Sequence, residues 1–369
     1  MSNPSGAAPI LDPALGPVEL TRRLCDIPSV SGDETRIADA VEGLLRSAPH
    51  LVVTRDGNTL IAGTVLGRAR RVVIAGHLDT VPINANLPVR DEIDAETGES
   101  VIRGRGTVDM KAGVAVQLVL ALELVEPAVD ITWVWYDHEE VESSLNGLGR
   151  ALRNAPALFD ADFAILGEPT RGGIEGGCNG TLRARITVLG RRAHSARSWM
   201  GVNAIHRAGA LLERLAAFEP ETVTVDGLDY REGLNAVRIG GGVAGNVIPD
   251  RCDIEVNYRF APSRGADEAV SFVRGFFADA DEVEIVDLAP GARPGLDTPL
   301  AQSLVRAVGL PPAAKVGWTD VSRFSALGVP AVNLGPGDPS LAHADDERVP
   351  VAQIEAVHAA LRDWLTARE

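Results

Sequence analysis

Four stretches of the chain are apolar almost without interruption: Val72–Ala75, Ile131–Tyr136, Phe163–Leu166 and Val329–Leu334. Runs of this kind suit strands buried on both faces, as in the parallel sheet of an α/β domain. Met110–Glu126 is apolar all round its helical projection, which predicts a buried helix. Val351–Arg368 predicts an amphipathic closing helix. Between about 178 and 292 the texture changes. Leu182–Val188 and Cys252–Phe260 alternate apolar and polar, the pattern of antiparallel strands with one wet face. A helix is predicted between them, over about Val202–Phe218, with Ile205, Leu212 and Leu215 at helical spacing. The expected fold class is α/β. A discontinuous domain with a mostly parallel sheet covers 1–177 and 293–369, and an α+β domain with an antiparallel sheet is inserted over 178–292.

Each apolar run is followed by polar residues able to bind a metal. After the first come His77 and Asp79, after the second Glu139 and Glu140, after the third Glu168, and about ten residues beyond the fourth His343. Open α/β sheets bind ligands at the carboxyl ends of their strands. His77 and Asp79, two apart, lie on one side of an extended segment, so the imidazole can bind a metal while the carboxylate fixes its other nitrogen. Taken alone, the same pair also reads as a surface histidine and a loop aspartate. Asp109 stands at the entry of the predicted buried helix, where it can ligate or cap. Adjacent carboxylates at a strand end point in different directions, so one of Glu139 and Glu140 can ligate while the other reaches a water. A solvated acidic pair looks the same in isolation. His194, inside the inserted region, reads by itself as structural. Imidazole and carboxylate donors without thiolate suit Zn, Co or Mn, and paired ions activate water for hydrolysis.

Gly240–Gly245 matches a dinucleotide-binding glycine pattern, but it leads toward another strand and not a helix, so that reading is rejected. There is no P-loop and no nucleophile elbow.

Composition narrows the partners. The 369 residues carry 35 Lys and Arg against 51 Asp and Glu, a formal net charge of −16. That excess argues against nucleic acid and anionic membranes. No run of about 18 apolar residues is present, so no membrane span is expected. Met1–Leu20 lacks the flank and apolar core of a signal peptide, and three scattered cysteines argue against a disulfide framework. Both features predict a cytoplasmic protein.

Gly76–Pro82, Gly104–Gly113, Glu139-Glu140, Gly167–Pro169, Ala193–Ser195 with Gly201–Ile205, and Asn246–Asp250 resemble, in order, the motifs of the M20 metallopeptidases, the aminoacylase, carboxypeptidase and desuccinylase group. Gly233–Val237, Gly317–Asp320 and Gly335–Pro339 with His343 carry a closer likeness to the desuccinylase branch. The resemblance implies a zinc-peptidase-like catalytic domain and an inserted lid that also mediates homodimerisation. It implies two zinc ions per subunit, with Co2+ able to substitute. His77 and Glu168 would hold one ion, Glu140 and His343 the other, and Asp109 would bridge. Asp79 would orient His77, and Glu139 would be the general base. His194 would be an oxyanion donor supplied in trans. Asn246, Arg259 and Arg323 would hold carboxylates of a small anionic N-acyl amino acid. A non-catalytic relative would lack a ligand or the base, and all six of these residues are present.

Overall fold

The four apolar runs become four neighbouring strands. In the computed structural model, which describes residues 9–367, they form the centre of an eight-stranded sheet in the order Asp130–Tyr136, Arg71–His77, Phe163–Leu166, Ala331–Asn333. All three junctions are parallel, with Ile74 opposite both Trp133 and Ile165, and Val332 opposite Ile165. Every residue of Asp130–Tyr136 and of Phe163–Leu166 is buried, as a central parallel strand requires. The fourth strand begins only after Pro330, which has no N–H to donate. Beyond Asp130–Tyr136 the pairing turns antiparallel. Thr59–Gly63 pairs antiparallel with Asp130–Tyr136, and Val52–Asp56 antiparallel with Thr59–Gly63.

The predicted buried helix forms as Lys111–Glu123 and is enclosed from Lys111 to Ala121. Its close fit depends on glycine. A Cβ at Gly113 would lie 2.2 Å from the Gly167 carbonyl oxygen, and a Cβ at Gly335 would lie 2.2 Å from the same atom. The start of the helix and the turns after the third and fourth strands therefore meet at one point. The closing helix runs Val351–Thr366 and buries Ile354, Val357, Leu361 and Leu365.

The chain divides into two compact units. One comprises the chain up to Gly176, Gly295–Ala313 and the chain from Arg323 on; the other comprises Gly177–Pro294 and Ala314–Ser322. The sequence texture put the limits at 178 and 292 and left 314–322 in the first unit, because that short segment carries no strand alternation.

The second unit holds a four-stranded antiparallel sheet in the order Gly233–Gly241, Arg251–Phe260, Gly180–Leu189, Glu282–Ala289. Alternation puts Leu182, Ala184, Ile186, Ile254, Val256 and Tyr258 in one core with Ala208 and Leu211 of helix Ala204–Ala216 and Val273 of helix Ala266–Phe276. Asn203 caps the first of these helices by accepting the Ile205 and His206 N–H groups. Gly240–Gly245 spans a strand end and the turn before strand Val247–Ile248, with no helix there. Cys25, Cys178 and Cys252 are buried and free. Among the described residues no helix is long and apolar enough to cross a membrane.

Candidate metal centre

The carboxyl ends of the parallel strands gather the polar residues. His77 is the last residue of Arg71–His77 and is buried. Glu139 and Glu140 follow Asp130–Tyr136 across a turn in which His138 takes a left-handed backbone (φ 58°). Glu168 follows Phe163–Leu166 and is buried. Asp109 lies two residues ahead of helix Lys111–Glu123. His343 follows the turn Pro339–Leu341, itself left-handed (φ 66°).

Asp109 sits between the two imidazoles. Its Oδ1 is 3.0 Å from His77 Nε2 and its Oδ2 is 3.3 Å from His343 Nε2. His343 Nε2 is also 3.0 Å from Glu140 Oε2. Two groups with donor atoms within 4.8 Å of one another share Asp109: His77–Asp109–Glu168 and Asp109–Glu140–His343. A third, His77–Glu139–Glu140, overlaps them. Two ligands held about 2.0–2.1 Å from one ion in tetrahedral array lie about 3.3 Å apart. The observed separations thus fit a pair of divalent cations with the Asp109 carboxylate common to both.

The electrostatics agree. Burial would depress the His77 imidazole, yet the hydrogen bond and charge of Asp109, helped by Asp79 and Glu139, hold it well above its ordinary range. Hydrogen bonds to the Asp109 and Glu140 carboxylates push His343 up to about 10. Burial would raise Asp109, but His343 and His77 hold it well below the usual carboxylate range. The site favours positive charge at both Nε2 atoms.

Asp79 departs from its expected contact. His77 Nδ1 bonds the Asp79 main-chain carbonyl at 2.9 Å, while the nearest carboxylate oxygen is 3.6 Å away. The carboxylate instead accepts the backbone N–H groups of Glu139 (3.0 Å) and Glu140 (3.1 Å) and the Ser31 hydroxyl (2.6 Å).

The remaining expected residues are not members of these donor groups. His194, Asn246 and Arg259 belong to the second unit. There the first two are neighbours: His194 is opposite Val247 in a short ladder, and the Asn246 carbonyl accepts the Ser195 N–H. His194 Nδ1 accepts the Ala196 N–H at 3.0 Å. Arg259 is half-buried, its Nε donating to Asn257 Oδ1 at 3.0 Å; burial lowers its pKa. Arg323 is in the first unit and donates to Ser143 Oγ at 2.9 Å.

Sequence reasoning missed the supports. Glu34 Oε1 accepts the His138 N–H, and Asp137 receives His138 Nδ1, Thr59 Oγ1 and Arg150 Nη2. Glu347 receives the N–H groups of Val108 and Asp109. The paired positive-φ glycines at 104 and 106 are a signal for such an anion.

A model of peptidase family M20/M25/M40 matches residues 73–367. The chain is 54% identical to DapE of Mycobacterium tuberculosis, over 96% of this chain and 99% of that one. It is 48% identical to the succinyl-diaminopimelate desuccinylase of Corynebacterium glutamicum, over 97% and 98% of the two chains. A tripeptidase of Staphylococcus aureus superposes with a TM-score of 0.75 at 22% identity, covering 95% of this chain and 97% of that one. The YXEP protein of Bacillus subtilis, described as a dinuclear metal binding peptidase, superposes with a TM-score of 0.65 at 16% identity, over 95% and 96%. Likeness at these last identities is one of fold. Since the family match takes in nearly all of the four parallel strands and every residue of the His77–His343 cluster, this chain belongs to peptidase family M20/M25/M40.

Proposed function

We propose that this protein is a dinuclear zinc amidohydrolase that removes succinate from N-succinyl-LL-2,6-diaminopimelate and releases LL-2,6-diaminopimelate. One observation carries the reading: Asp109 is common to two donor groups in a chain that is nearly half identical, end to end, to a desuccinylase. His77 and Glu168 would hold one ion and Glu140 and His343 the other, with Asp109 common to both sets. Nitrogen and oxygen donors without sulfur suit zinc, with cobalt able to substitute. Ions bound there would supply Lewis acidity to the amide carbonyl and lower the pKa of the attacking water. Glu139, beside the ligand Glu140, takes the proton of that water and returns it to the leaving amine.

The unit around 178–292 acts as a lid and as the homodimer contact. Strand Gly233–Gly241 is a sheet edge, with Val237 58% and Ile239 48% exposed. Trp199 and Met200 of the same unit are 77% and 55% exposed. An apolar edge of this kind favours pairing with another chain. His194 serves as an oxyanion donor in trans. Asn246, Arg259 and Arg323 take the substrate carboxylates. The protein works in the cytoplasm.

The test is a substrate panel with added zinc: succinyl-diaminopimelate, acetylornithine and N-acyl amino acids. The highest kcat/KM is expected on succinyl-diaminopimelate. An equal or higher value on acetylornithine would replace this reading with a deacetylase of the same family.

A further inference from the structure

The turn before Asp109 is built around an anion. Gly104 and Gly106 take positive φ, +154° and +79°. Such alternation aims successive N–H groups at one point and forms an anion-binding concavity. The Glu347 carboxylate fills it. One oxygen accepts the Val108 N–H at 2.8 Å and the Asp109 N–H at 3.0 Å. The other accepts the Arg105 guanidinium at 2.9 Å. Gly106 contributes a further backbone hydrogen bond. The Glu347 carbonyl accepts the Gly104 N–H, also at 2.9 Å. Both side chains of the ion pair are almost wholly buried. The helix that follows offers no substitute, since its first residues receive no side-chain cap.

Glu347 lies four residues beyond His343. The segment bearing one ligand therefore fixes the main chain of the ligand that both donor groups share. We propose that Glu347 is the positioning residue of the metal centre: by holding the Asp109 main chain in the Gly104–Asp109 turn, it locks the two ion sites to each other. The proposal rests on Asp109 being the common ligand. It makes metal affinity, and not only stability, depend on a residue that touches no ion. Outer partners of this kind change metal affinity by about 10–100-fold.

The experiment titrates metal-stripped full-length protein with Zn2+ and, for its visible absorption, with Co2+. It compares wild type, Glu347→Gln, Glu347→Ala and Arg105→Lys with Glu123→Gln, a carboxylate paired with His358 at the far end of the same helix. Measurements are made where circular dichroism shows each variant folded. Wild type and Glu123→Gln are expected to bind two ions alike. The Glu347 variants should bind at least one ion tenfold or more weakly, with an altered Co2+ spectrum and a fall in kcat larger than any change in KM. Folded Glu347 variants that bind both ions within twofold of wild type would overturn the proposal. If neither Glu347 variant folds, Arg105→Lys decides: weakened Co2+ binding supports the proposal, and wild-type affinity overturns it. A wild-type protein that takes up no ion would instead overturn the metal reading itself, and this proposal with it.

Discussion

The Asp79 carboxylate holds Glu139 by its main chain, accepting the Glu139 N–H at 3.0 Å. His77 takes its bond from the Asp79 main chain, not from the side chain. Substitution at Asp79 should therefore leave the imidazole anchored and release the glutamate pair. Asp79→Ala is expected to lower kcat by about 10–100-fold, with the His77-side ion retained. Steady-state kinetics alongside metal analysis check this. Loss of that ion, with turnover per bound ion unchanged, would return Asp79 to the role of orienting the imidazole.

Glu139 belongs to neither donor group that contains Asp109, although it joins the overlapping trio with His77 and Glu140. As a proton carrier it should be dispensable for metal uptake. Glu139→Gln is expected to bind two ions as wild type does and to lose about 10²–10⁴-fold in kcat. A variant that loses an ion would make Glu139 a ligand.

Gly113 leaves no room for a side chain, since a Cβ there would overlap the Gly167 carbonyl. Gly113→Ala must push apart the helix and the turn that carries Glu168. A loss of about 1–3 kcal/mol is expected from such overpacking, together with weaker metal binding. Urea unfolding and metal titration on the same preparation check both. A variant with wild-type midpoint and affinity would contradict the tight packing.

Asp130 lies away from the cluster, at the start of its strand. It accepts the Leu66 and Arg68 N–H groups and the Thr64 hydroxyl. Burial would raise its pKa, but these bonds and Arg71 hold it below the usual carboxylate range. A depressed carboxylate stabilises the fold above its unfolded pKa, near 3.9, and loses that contribution as pH falls through the folded value. Asp130→Asn is expected to cost about 1–3 kcal/mol at neutral pH. Its urea midpoint should converge on that of wild type below about pH 4. A gap that stays constant with pH would mean the charge plays no part.

The central strands were legible because burial on both faces leaves an uninterrupted apolar run, as in Phe163–Leu166. The antiparallel flank was not: Val52–Asp56 is half exposed and mixes charges with valines. Helices Pro17–Cys25 and Thr35–Arg46 were also unread, although in the second Ile37, Ala38, Val41, Leu44 and Leu45 recur at helical spacing and form its buried face. The ligand candidates stood out because imidazoles and carboxylates followed buried strands. Asp79 and Glu347 were harder. Most of their partners are main-chain N–H groups, which every residue except proline carries, so beyond the glycines flanking Arg105 little in the sequence marks the residues they hold.

The detour of the chain through its second unit also orders events in time. His77, Asp109, Glu139, Glu140 and Glu168 all precede that unit, whereas His343 follows it. On a ribosome adding about 5–20 residues per second, His343 emerges on the order of ten seconds or more after Glu168. The nascent chain thus exposes the His77–Asp109–Glu168 donors first and gains the His343 donor only after the inserted unit has been made. The two donor groups are unequal in birth order even though they share Asp109.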